Sequence, residues 1–189
     1  MPTLLDANSF REHTTQAHVK VLQIIFVALA VGILSFSLIV VAGVFVAKDT
    51  PPTEEDIGLM RILTGFVLVI MLSAAVLAGR IRSMLLSRSK LDPILALQHE
   101  DDATGQMVEG IHAHLRTSEI VRMAILEASA VFGLVTCVLG LVFGVLPDAA
   151  LFWVNLVPAI FFLLVVGMTF PSADRLTQLF EEFVTPHLN

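Results

Sequence analysis

Residues 21–47 read VLQIIFVALAVGILSFSLIVVAGVFVA, 27 positions without a formal charge. The run is too long for a buried strand and too apolar for the surface helix of a water-soluble domain. A helix that crosses the hydrocarbon of a bilayer needs about 20 residues. This one exceeds that, so it tilts or projects beyond the hydrocarbon. It follows about twenty mixed polar residues and is longer than the roughly 7–15 apolar residues of a cleavable signal. It reads as a retained membrane helix.

Three further runs share its character. Residues 62–79 hold 18 uncharged positions, 123–146 hold 24 with Glu127 as the one charge, and 149–170 hold 22 with Pro158 inside. Composition agrees. Hydrophobic residues make up 56% of the 189 and charged ones 15%, against about 25% charged in a soluble domain. Mean hydropathy is +0.86. The reading is an all-α polytopic membrane protein, four transmembrane helices in a bundle, forming a single domain over 1–189.

The connections set the topology. Pro51 and Pro52 stop the first helix, and Thr53 with Asp56 has the spacing of a capping box for the second. Residues 80–122 form a long polar connection. Its first part extends helix two to a break at Asp92-Pro93, and its last part, from Thr104, runs as a helix into helix three with Met107, Ile111 and Leu115 as a narrow apolar stripe. HEDDATG, 99–105, reads as a turn. PDAA at 147–150 is a tight turn between helices three and four. The tail, 171–189, sets Leu176, Leu179, Phe180 and Phe183 on one helical face and reads as an interfacial helix on the membrane.

Lysine and arginine bias orients such chains. The loops 48–61 and 147–150 hold two, Lys48 and Arg61, whereas the N-terminal segment, 80–122 and the tail hold nine. Both termini and the long connection are therefore expected in the cytoplasm. Phe152 and Trp153 then fall at the outer interface. A net charge of −6 argues against a nucleic-acid partner, which favours a basic face.

Helices in lipid pack where small residues let backbones approach. Helix three carries Ala130, Gly133, Cys137, Gly140 and Gly144, and helix one carries Ala28, Gly32 and Ser35 at comparable spacing. These faces are expected to meet within one chain; the alternative is a homo-oligomer contact. Pro158 should kink helix four and leave a carbonyl near Asn155 in need of a partner.

Glu127 is the charge that needs a reason. It follows Arg122 by five residues, roughly 7.5 Å along a helix, which places it just inside the cytoplasmic edge. Arg80, Lys20, Gln23 and Ser73 lie at or near that level on other helices. One reading is a structural tie from Glu127 to Arg80 or Lys20. Another is a protonatable or cation-binding site. A third is a contact with a lipid headgroup or a partner.

LEASAVFGLV, 126–135, resembles the carboxylate helix of rotary ATP synthase proteolipids. That resemblance makes Glu127 an ion-carrying group, although helix one lacks the alternating glycines of the proteolipid inner helix. Over most of its length the chain resembles small four-helix inner-membrane proteins of bacteria. In these a cytoplasmic segment leads into an ALLEG-like motif on helix three, and helix four leaves through Phe-Pro. VRMAILEASAVFGLV and TFPSADRLTQLFEEF are the corresponding strings here. The resemblance implies a multi-pass protein of the bacterial inner membrane and no particular activity.

No catalytic set, cofactor motif or metal-ligand spacing is found. The six histidines lie outside the spans and read as solvated, and Cys137 is a lone thiol inside an apolar run. The partners expected are the bilayer and either a second copy or another membrane protein. The function expected is a non-enzymatic scaffold or accessory subunit. The alternative is an ion- or proton-translocating protein that titrates Glu127.

Overall fold

A computed structural model describes residues 7–14, 16–46, 51–96 and 104–188. The structure is 91% helical, with no strand among the described residues. The helices are α1 Ala7–His13, α2 Gln16–Val46, α3 Glu54–Leu85, α4 Arg88–Leu95, α5 Thr104–Val142, α6 Val145–Asp148, α7 Val157–Met168, α8 Ala173–Phe183 and α9 Thr185–Leu188, with a 3-10 segment over Ala150–Leu156. Four helical stretches, Val19–Val46, Glu54–Leu95, Gly105–Val142 and Ala150–Met168, are long and apolar enough to cross a membrane.

The chain divides into two compact units where its length suggests one. The first comprises residues 1–26, 79–122 and 169–189; the second comprises 27–78 and 123–168.

The first unit has a core of its own. The Phe10 ring of α1 stacks on His112 of α5 at 4.5 Å and on Phe180 of α8 at 4.3 Å. Leu22, Phe26, Leu86, Leu91, Met107, Ile111, Leu115, Leu176 and Leu179 are buried with it. The tail therefore differs from its sequence reading. Its apolar face is buried in protein, with Phe180 fully covered and Leu179 1% exposed. Ser172 caps α8 by accepting from the Arg175 amide at 3.1 Å, and Gln23 Nε2 donates to the Pro171 carbonyl at 2.9 Å. The end of helix two differs too. α3 stops at Leu85, Ser87 begins α4, and Pro93 lies within α4 and does not terminate it. The 99–105 turn falls largely outside the described residues.

In the second unit α3 buries Met60, Thr64, Val67, Ala74 and Ala78, a period-four and period-three stripe. α5 buries Leu126, Ala130, Gly133, Leu134, Cys137 and Gly140. It ends at Val142, four residues before the end of the apolar run, because Gly144 takes a left-handed conformation, φ 68°, that side chains with a Cβ avoid. The fourth apolar run is two elements rather than one kinked helix. A 3-10 segment passes into α7, and Pro158 occupies the first turn of α7, where its missing N–H does little harm. Phe152, expected at an interface, is buried, while Trp153 is half-buried.

The capping box is present. The Thr53 amide donates to Asp56 Oδ2 at 3.1 Å, and the Asp56 amide donates to Thr53 Oγ1 at 3.2 Å.

Candidate functional site

The most concentrated charge in the first unit lies on Arg82, Glu119 and Arg122. Glu119 of α5 is 5% exposed. Its Oε1 lies 3.0 Å from Arg82 Nε, and its Oε2 accepts from Arg122 Nη1 at 3.3 Å. The three side chains expose only 13%, 6% and 16% of their surface, for Arg82, Glu119 and Arg122. The Arg82 guanidinium also lies 5.0 Å from the centre of the Phe183 ring, within reach of a cation–π attraction. Arg82 Nε and Nη2 and Glu119 Oε1 complete no hydrogen bond among the described residues. The Arg82 arm is therefore held by charge and by the aromatic face, the Arg122 arm by a hydrogen bond as well. Two cations surround one carboxylate, so the carboxylate is fully paired and the trio carries one surplus positive charge.

Local periodicity explains these positions. The buried stripe of α3 runs Ala74, Ala78, and four residues on comes Arg82. On α5 the stripe Met107, Ile111, Leu115 reaches Glu119 by the same step. Arg80 is two residues from Ala78, on another side of the helix, and is exposed. Extending both stripes by one turn was the signal that would have found the pair.

Glu127 belongs to the second unit, whereas Arg80, Lys20 and Gln23 belong to the first. Lys20 and Arg80 are exposed and Gln23 is half-buried. Glu127 itself is half-buried and lines a shallow surface groove with Ala124, Ala128, Val131, Phe132 and Val135. Among the described residues it takes part in no ion pair. The hydroxyl of Ser73 is on an exposed face.

The small-residue stripes fare differently. Ala130, Gly133, Cys137, Gly140 and Gly144 are all buried. Gly133 is tightest: a Cβ there would run into the Asn155 carbonyl and come within 3.3 Å of Pro158 Cγ. The stripe on helix one stays exposed. Ala28, Gly32 and Ser35 are exposed, and nothing lies within 4 Å of a Cβ built on Gly32. α2 instead buries Ile33 and Val40, and its close approach is at Gly43, where a Cβ would lie 2.8 Å from Leu141 Cδ1.

The buried polar groups of the second unit are few. Ser129 donates to the Leu126 carbonyl at 2.8 Å and Thr136 to that of Phe132 at 3.0 Å. Asn155 Nδ2 donates to Thr64 Oγ1 at 3.0 Å and to the Phe152 carbonyl at 2.9 Å. The Ser129 and Thr136 hydroxyls close on their own helix, and among these described groups Asn155 and Thr64 join two elements.

One histidine departs from the solvated reading. His112 is 4% exposed, stacked on Phe10, with Nε2 3.1 Å from Thr14 Oγ1. Among the described residues no group of three or more His, Cys, Asp or Glu side chains could hold a metal ion. Cys137 is a buried free thiol.

No family model, curated protein or solved structure matches the chain.

Proposed function

We propose that the protein is a multi-pass membrane scaffold or accessory subunit, without an enzymatic reaction of its own, that binds other membrane proteins. On this reading the four apolar helices form a transmembrane bundle in the bacterial inner membrane. Both termini and the 80–122 connection lie on the cytoplasmic side, where the basic residues are concentrated.

The observation that carries the reading is the state of the polar groups. A translocation route needs a succession of polar or titratable groups through the apolar unit. In that unit Ser129 and Thr136 are turned onto their own backbones and Thr64 pairs with Asn155, which makes no succession of groups, and the buried carboxylate of the other unit is held by two arginines. This arrangement suits a rigid binding partner better than a carrier.

The second reading, an ion or proton carrier titrating Glu127, draws on one fact: Glu127 has no ion-pair partner among the described residues. Its groove offers no other polar side chain, which disfavours a cation site, since hard cations take six or more oxygen ligands.

Reconstitution in liposomes distinguishes the two. Under an imposed pH or sodium gradient, vesicles with the protein should leak no faster than empty ones. A flux that disappears in Glu127→Gln would establish the carrier reading and end the scaffold one.

A further inference from the structure

Ala124, Ala128, Val131 and Val135 follow one another at steps of four, three and four, and all four are exposed. This is the spacing of a coiled-coil seam, d-a-d-a, along one face of α5. Ala130 and Gly133, on the other side of the helix, are buried. The seam is therefore a second face of α5 that stays exposed among the described residues. Two alanines at one end let a neighbouring backbone come close. Glu127 takes the g position beside this seam and Phe132 the e position. In paired helices those flanks carry the charges that choose the partner.

We infer that this face seats a transmembrane helix of another polypeptide, one bearing a lysine or arginine near the cytoplasmic edge that pairs with Glu127. The assignment rests on the accessory-subunit reading and names the class of partner.

Charge argues for a basic helix: Glu127 has no ion-pair partner among the described residues, and a carboxylate on a lipid-facing groove is costly until it is compensated. The same geometry argues against a second copy. Two copies inserted in the same sense would align α5 with α5 in parallel. A g residue then faces the e residue five positions further along its neighbour. From Glu127 that position is Phe132, so self-pairing would set each carboxylate against a phenyl ring. A heterologous helix with a basic residue at that e position compensates the charge.

The test uses the full-length protein, labelled with a donor dye at its amino terminus, in phosphatidylcholine vesicles. The probes are acceptor-labelled synthetic Leu/Ala helices of about 20 residues, identical except for one residue two turns from an end: lysine, leucine or glutamate. Energy transfer is read against the peptide-to-lipid ratio. The lysine helix should associate about tenfold more tightly than the other two. Glu127→Gln should abolish that preference. Ala128→Phe, which fills the seam without touching charge, should weaken all three helices. Ala128 is exposed and Glu127 half-buried on the groove, and unchanged helical content and melting would verify that the variants fold.

A lysine helix that binds no better than the leucine helix, or a preference that survives Glu127→Gln, overturns the inference. So does transfer between donor- and acceptor-labelled copies of the protein itself that Ala128→Phe abolishes, because that gives the seam to a homodimer. Absence of lysine preference in a protein that carries no flux removes this partner class alone. Flux that depends on Glu127 removes the accessory reading beneath it.

Discussion

Arg80 and Arg82 are two residues apart on α3 and have unequal energetic weight. Removing one partner of a buried pair leaves a charge uncompensated and costs about 3–5 kcal/mol. Glu119 keeps Arg122 when Arg82 is lost, so Arg82→Met should cost less than that, about 1–3 kcal/mol. Arg80→Met, at an exposed position, should change it by less than about 0.5 kcal/mol. Denaturant titration in detergent micelles measures both. Replacing all three, Arg82→Met with Glu119→Gln and Arg122→Met, should recover much of the loss, since apolar or neutral replacements of a whole ionic cluster are tolerated better than part of one. Equal losses for Arg80→Met and Arg82→Met would refute the asymmetry. Gly133 and Gly32 make a second contrast. Gly133→Ala pushes a methyl group into the Asn155 carbonyl and should cost about 1–3 kcal/mol, as overpacking does. Gly32→Ala meets open space and should be neutral or slightly stabilising, since alanine is about 0.5–1 kcal/mol better than glycine in a helix.

At the scale of the element, what the sequence made legible depended on whether a pattern was local. The Thr53–Asp56 box needs four consecutive residues and was readable; Thr53→Ala should cost about 0.5–2 kcal/mol, read in the same titrations. The long helix from Thr104 into the third apolar run was readable from its period. Which apolar face of an element is buried in protein, and which stays exposed, was not. A small-residue stripe looks the same in sequence whether it is buried, as on α5, or exposed, as at Ala28, Gly32 and Ser35. The tail failed for a related reason. An amphipathic helix satisfies its apolar face equally on a membrane or in a protein core, and only tertiary structure reveals that Phe180 stacks on Phe10. Phe180→Ala should cost about 3–5 kcal/mol and release α8, making the bonds of 173–183 sensitive to protease in intact membranes. A tail that stays as resistant as the parent's would mean that the bilayer, not the Phe10 stack, holds it.

For the whole molecule the open question is which side each end faces, and the argument again comes from charge. Arg80, Arg82, Arg88, Lys90, Arg116 and Arg122 all lie in the 80–122 connection. Arg82 and Arg122 are tied to Glu119. Pairing does not remove them from the orienting count, because the bias follows lysine and arginine rather than net charge. A single cysteine at Glu55 or at Ser89, both exposed, reports the outcome, since Cys137 is fully buried and stays silent in the folded protein. In intact cells an impermeant maleimide should label Glu55→Cys and leave Ser89→Cys unlabelled; inside-out vesicles should reverse the pattern. The converse result would put the basic connection outside. It would also move Glu127 to the outer edge of its span, so that a partner helix for the α5 seam would have to carry its basic residue near the outer headgroups.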